Sequence, residues 1–193
     1  MASKIKVDQL ETADGTGTIA LQNQLSGLTS SSMPTGSVLQ VVSATKTDTW
    51  TYTGTNVLQD VTGLSVSITP KSTSSKIFIQ VNINITSNER YGAVNILRDS
   101  THIGGGASSG SRASVNIGVA ANDDETGNQY LMRNSSISYL DSPNTTSATT
   151  YKVQAGNTHS TGVVTYINRS VTDGDANWGH RGGSTITVME IAG

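Results

Sequence analysis

From Ile77 to Thr86 the chain reads Ile-Phe-Ile-Gln-Val-Asn-Ile-Asn-Ile-Thr, an unbroken alternation of apolar and mainly polar positions. Successive side chains on a β-strand point to opposite faces. Ile77, Ile79, Val81, Ile83 and Ile85 therefore share one face, and Phe78, Gln80, Asn82, Asn84 and Thr86 share the other. A helix, with its period of 3.6, cannot gather such a set on one side. Asn is disfavoured in strands. An amide-faced strand is therefore either solvated or pairs its amides with another chain.

The same period returns along the chain. Leu64, Val66 and Ile68 alternate with Ser65, Ser67 and Thr69, and Val115, Ile117 and Val119 with Asn116, Gly118 and Ala120. Tyr151 and Val153 alternate with Lys152 and Gln154, and Ile186 and Val188 with Thr185, Thr187 and Met189. Val38–Ser43, Thr49–Thr53, Ala93–Leu97, Tyr130–Leu140 and Val163–Asn168 are further β-prone stretches. Turn chemistry separates them, as at Thr69-Pro70-Lys71, Gly104-Gly105-Gly106 and Asp141-Ser142-Pro143-Asn144. No window shows helical periodicity. The expectation is an all-β fold, a jelly-roll-like antiparallel β-sandwich of about eight to ten strands over residues 38–193.

Composition supports that expectation and excludes other classes. Charged residues are 13% and hydrophobic residues 34%. A disordered chain combines low hydrophobicity with high charge, and this chain is low in both. Ser and Thr number 53 and Gly 20, which suits sheets with small polar surfaces. The net charge of -2, without a Lys/Arg cluster, gives no footprint for nucleic acid. Without cysteine there is no disulfide framework, thiolate metal site or thiol nucleophile. Met1 is followed by Ala-Ser-Lys-Ile-Lys rather than an apolar run, so no secretory signal is expected, nor membrane insertion.

The first thirty residues form a separate unit. Ile5 and Val7 alternate with Lys6 and Asp8, Asp14-Gly15 is a hairpin signal, and Thr18–Leu21 reads as a return strand. A Ser/Thr/Gly-rich stretch, Leu25–Gly36, has the composition of a linker. The expected organisation is an arm over 1–30, a linker over 31–37 and a sandwich over 38–193. A lone two-stranded hairpin is marginal in water, so Ile5, Val7, Leu10, Ile19 and Leu21 are the candidate anchoring residues. They would be covered by a copy of the arm or by another protein.

Few residues carry catalytic or ligand chemistry. His102, His159 and His180 lie far apart, outside any metal-ligand spacing. Asp173-Gly174-Asp175-Ala176-Asn177 partly resembles a calcium loop but lacks the glycine and closing Glu of an EF-hand. Asp123-Asp124-Glu125 reads as a solvated loop. Ser43-Ala44-Thr45-Lys46 matches Ser-x-x-Lys, yet on a strand and without partner motifs. Asn84-Ile85-Thr86 and Asn168-Arg169-Ser170 are sequons by composition. No catalytic residue, cofactor or metal site is expected. The candidate surface contacts are Trp178, His180 and Arg181 in the Gly-rich loop 173–183, with Arg90 and Tyr91 in another. Trp and Arg anchor interfaces; the plainer reading of Trp178 is a plug at one end of the sandwich, and that of Trp50 is packing. With one Phe and two Trp, the domain is poor in large apolar residues. Association of copies would offset that by hiding surface and shielding edge strands.

Lys4-Ile5-Lys6-Val7-Asp8-Gln9-Leu10-Glu11 and Gly15-Thr16-Gly17-Thr18-Ile19-Ala20-Leu21 resemble the opening shared by virion structural proteins of tailed phages, marine and cyanobacterial ones especially. Met33–Val42, Tyr139–Pro143, Thr149–Gln154 and Ser184–Gly193 resemble C-terminal domains of the same group. These stretches cover about a quarter of the chain. The resemblance implies a homotrimeric sandwich on an N-terminal anchor, located in the virion. Its partners would be itself, other virion proteins through residues 1–30, and a host surface glycan or protein. It implies a non-enzymatic tail-fibre-like adhesin or, alternatively, a capsid decoration protein stabilising the head. A carbohydrate-binding module is the reading from a different class.

Overall fold

The computed structural model describes residues 33–89, 91–119, 128–159 and 162–193. The expected arm, with Ile5, Val7, Leu10, Ile19 and Leu21, lies outside them, as do Arg90 and the acidic run 123–125.

Eleven strands occur among the described residues: β1 Val38–Lys46, β2 Trp50–Thr53, β3 Val57–Ile68, β4 Lys76–Ser87, β5 Gly92–Arg98, β6 Thr101–Ile103, β7 Ile117–Val119, β8 Arg133–Asp141, β9 Thr149–Asn157, β10 Val164–Ile167 and β11 Ser184–Ile191. They form two antiparallel sheets packed as a sandwich, as the alternation predicts. A six-stranded sheet runs β1-β11-β4-β10-β2, with β8 on the other edge of β4. A five-stranded sheet runs β3-β9-β5-β6, with β7 also on β5. The count exceeds the expected eight to ten because the edge of β5 is shared by two three-residue strands. β6 pairs with Ile96–Arg98 and β7 with Gly92–Val94. Asn116 fills the gap between them: its side chain accepts from the Ile96 N–H at 2.9 Å and donates to the Ile103 carbonyl at 3.0 Å. The stretch 130–140 differs from expectation at its start, where Asn128–Tyr130 is a 3₁₀ turn and the strand begins at Arg133.

The run at 77–85 forms the spine of the core. Ile77, Ile79, Val81, Ile83 and Ile85 are all fully buried. Across from them lie Leu64, Val66, Ile96, Val153 and Tyr151. Each buried branched side chain contributes about 1.5–3 kcal/mol. Within the five-stranded sheet, β3 and β9 approach closely at Gly156: a Cβ there would collide with the Val57 carbonyl.

The outer face of the six-stranded sheet is ordered in rows by register. Val41, Met189, Phe78 and Leu140 stand side by side; so do Ser43, Thr187, Gln80 and Ser138, and then Thr45, Thr185, Asn82 and Ser136. The amides of β4 find partners within the chain. Ser136 donates to Asn82 at 2.5 Å, Asn134 to Asn84 at 3.2 Å, and Asn84 to the Gly183 carbonyl at 2.6 Å. The Ser-x-x-Lys pair is split by the pleat: Ser43 is exposed, and Lys46 is buried with its amine 2.8 Å from Asp48.

The two ends of the sandwich are distinct. At the proximal end the start of β1 meets the end of β11, with the Gly36 N–H on the Ala192 carbonyl and the Ala192 N–H on the Ser37 carbonyl, both at 2.8 Å. The described chain begins beside this end, at Met33. The distal end holds the ends of β4 and β9 and the starts of β5, β10 and β11.

Candidate functional site

Two side-chain clusters sit at the distal end, and both contain candidate contact residues.

The first is the connection from β10 to β11. It opens at Asn168, which is fully buried with φ of 62°. Asn tolerates this left-handed backbone better than most residues. The Asn168 amide donates to the Lys46 carbonyl at 2.8 Å and the Asp48 carbonyl at 3.0 Å, and its oxygen accepts from the Ser184 hydroxyl at 2.6 Å. One side chain thus ties the β1–β2 turn to both stems of the loop. Its burial also removes Asn168 as a glycan acceptor in the folded chain.

Above this base the loop is held by charge and aromatic packing. The Arg169 guanidinium lies 4.6 Å from the centre of the Tyr166 ring and donates to the Val171 carbonyl at 2.7 Å. Asp173 receives Arg181 on one carboxylate oxygen and Arg169 at 3.5 Å on the other. The Arg181 hydrogen bond holds the Asp173 carboxyl below its ordinary range, so it is ionised at neutral pH. The partial calcium-loop pattern therefore places its first carboxylate against two guanidinium groups. Thr172 bonds Gln129 through both backbone and side chain, at 2.9 and 3.0 Å, which docks the loop on the 3₁₀ turn. Trp178 then packs edge-on against Tyr130, with ring centres 4.7 Å apart at 63°.

Trp178 remains 43% exposed. It does not plug the sandwich, because its neighbours are a surface turn and the backbone of its own loop. A Cβ on Gly174 would fall 2.5 Å from the indole edge, so glycine there lets the ring lie against the chain. Asp173, Asp175, His180 and Arg181 line an open depression of about 310 Å³ beside it. Trp178, His180 and Arg181 thus share one polar, aromatic-edged surface.

The second cluster surrounds Tyr91, which stacks on His159 with ring centres 4.4 Å apart at 25°. The Tyr91 carbonyl accepts from the Thr158 N–H at 3.1 Å. Tyr91, Ala93, Ala113, Val115 and Val119 border a second open depression of about 310 Å³, more apolar than the first. The third histidine, His102, is spent structurally: its Nε2 donates to Asn116 at 2.9 Å. Trp50 packs against the core and stacks on Tyr52 with centres 5.9 Å apart.

Sequence reading missed Gln129, Tyr130 and Asn168 as parts of the first cluster. Only Asn168 carries a local signal, an Asn directly after an alternating strand. Among the described residues no three His, Asp or Glu side chains gather to hold a metal ion.

The chain is thus an antiparallel β-sandwich carrying two loop clusters at the end opposite its N-terminal connection. No protein-family model matches it, and no curated protein matches it significantly.

Proposed function

We propose that this chain is a non-enzymatic structural protein of a phage particle, a tail-fibre-like adhesin that forms a homotrimer. Residues 1–30 dock on the particle, and the distal loops contact the host surface. The observation that carries this reading is the polarity of the sandwich. Gly36 and Ser37, at the start of the described chain, bond the end of β11 at the proximal end, while Trp178, His180, Arg181 and Tyr91 sit at the distal end. β4 alone has 12 residues; at roughly 3.3 Å per residue it spans about 40 Å between the two ends. A domain held by one end presents the other.

The resemblance of the arm and of the Met33–Val42 and Ser184–Gly193 segments to virion proteins supports the location. The loop chemistry supports contact rather than turnover. The Asp173 carboxylate is engaged by two arginines, and Ser43 and Lys46 face opposite sides of β1.

The test is deletion of residues 1–30 in the context of the particle. The truncated chain is expected to keep its far-ultraviolet β spectrum and its melting transition while failing to incorporate. Normal incorporation would overturn the anchor. Copy number then separates the adhesin from a head-decoration protein: tens of copies fit a tail position, and hundreds fit the capsid.

A further inference from the structure

We infer that the outer face of the six-stranded sheet is the surface through which copies of this chain meet. The inference deepens the homotrimer of the proposed function by assigning its interface.

Three observations carry it. The first is a contiguous apolar row. Val41, Met189, Phe78 and Leu140 lie side by side across four strands, and Val38 pairs with Ile191 next to them. Val38, Val41 and Leu140 are each more than half exposed. Scattered exposed apolar residues are ordinary, but a row that crosses a whole sheet marks an interaction surface.

The second is charge. The three registered rows of this face contain twelve residues and no charged side chain; the row beyond them, with Val38 and Ile191, carries one, Lys76, at the proximal edge, where its amine bonds Ser142 at 2.9 Å. A surface that meets its own copy cannot place like charges opposite one another without a penalty. Hydroxyls and amides avoid this, because each kind both donates and accepts. Around a three-fold axis the side chains nearest the axis meet their own copies, so a neutral row of Ser, Thr, Asn and Gln suits that position. The opposite sheet differs: its outer face carries Asp60 bonded to Lys152 at 2.7 Å and to Gln154 at 2.8 Å, a charged network at home in water.

The third is size. Four strands about 4.8 Å apart and about nine residues long give on the order of 600 Å² of projected face. Side-chain relief brings the accessible area near the roughly 800 Å² that each partner gives a standard interface.

The experiment uses the full chain with Leu140→Lys and Val41→Lys, singly and together, and Thr62→Lys, at an exposed position of β3 in the other sheet, as the control. Mass is measured by light scattering across a dilution series. Melting is followed in parallel, and because Val41 and Leu140 are exposed the variants keep the fold. Wild type and T62K are expected at about three times the 20.1 kDa chain mass. The double variant is expected to dissociate at concentrations at least about tenfold higher, as for loss of interface anchors. A monomeric wild type overturns the inference, and so does an assembly that tolerates both lysines. Neither result touches the arm, which the incorporation test decides separately.

Discussion

The Tyr151 hydroxyl donates to Asp141 at 2.7 Å, and the two buried residues come from different sheets, Tyr151 from β9 and Asp141 from β8. Arg98 on β5 completes the link, its guanidinium 2.9 and 3.0 Å from the two Asp141 oxygens. The group clamps the proximal end of the sandwich. Tyr151→Phe removes one hydrogen bond to a buried carboxylate and is expected to cost about 1.5–3 kcal/mol. Asp141→Ala is expected to cost more, about 3 kcal/mol or above, because it strands both partners. The Tyr151 phenol also dictates an alkaline response. Burial, reinforced by the bond to Asp141, pushes its pKa far above the ordinary 10.0. The unfolded chain loses this proton near pH 10 and the folded chain holds it, so stability is fully present below about pH 10 and falls as pH rises beyond it. Urea titrations across that range are expected to show the decline in wild type and a shallower one in Y151F.

Glu190 governs the acid side. It is fully buried on β11. Its two carboxylate oxygens accept from the Gln40 amide and the Lys71 N–H, each at 2.6 Å. Burial works against the charge, and the hydrogen bonds outweigh it, so the pKa lies below its ordinary 4.5. A depressed carboxyl contributes stability that is present above the unfolded value and lost as pH falls through the folded one. Wild type is therefore expected to lose stability progressively below about pH 4.5. Glu190→Gln keeps the shape, is less stable at pH 7, and flattens this acid limb. Equal slopes for the two proteins would show that Glu190 is not the titrating group.

Asn168 offers a test that separates backbone from side chain. Asn168→Ala removes three hydrogen bonds from a buried site and places an alanine in left-handed backbone; about 3 kcal/mol of destabilisation is expected. Asn168→Gly loses the same bonds without the steric penalty, and is expected to melt higher than the alanine variant by the equivalent of about 1 kcal/mol. Equal melting of the two variants would mean that the backbone conformation adds nothing.

The sequence displays those parts of this molecule that repeat with period two. The Ile77–Ile85 face, the alternation at 64–69 and 185–189, and the two-sheet class follow from side-chain direction alone. The short strands β6 and β7 do not, because three residues make no periodic signal and their existence depends on Asn116 bridging them. The fate of the β4 amides was legible only as two options. Register, which no single strand encodes, brings Asn134 and Ser136 alongside Asn84 and Asn82 and satisfies two of them within the sheet. At the distal end the sequence offers Trp178, His180 and Arg181 as neighbours along the chain. Tyr130 and Gln129 reach them across more than forty positions, through contacts that turn residues do not advertise. The Asp173 cluster shows the same limit: a carboxylate that opens a partial calcium-loop pattern in the sequence is, in space, an arginine acceptor.

The distal loop carries the prediction closest to function. Trp178→Ala removes an edge-on aromatic pair worth about 0.5–1.5 kcal/mol, and because the ring is partly exposed the melting temperature is expected to fall only slightly. Arg181→Ala exposes Asp173, whose second partner Arg169 remains, so the loop keeps its base at Asn168. If the loop grips the host, particles carrying W178A or R181A are expected to adsorb on the order of tenfold more slowly or more weakly while the protein melts within a few degrees of wild type. Tyr91→Ala serves as the comparison, since it alters the other distal cluster and its stack on His159. Loss of adsorption in Y91A alone would move the contact surface to that cluster. Normal adsorption in all three variants would remove the distal loops from host recognition and favour a decorating role on the capsid, where the same end would face solvent without a binding task.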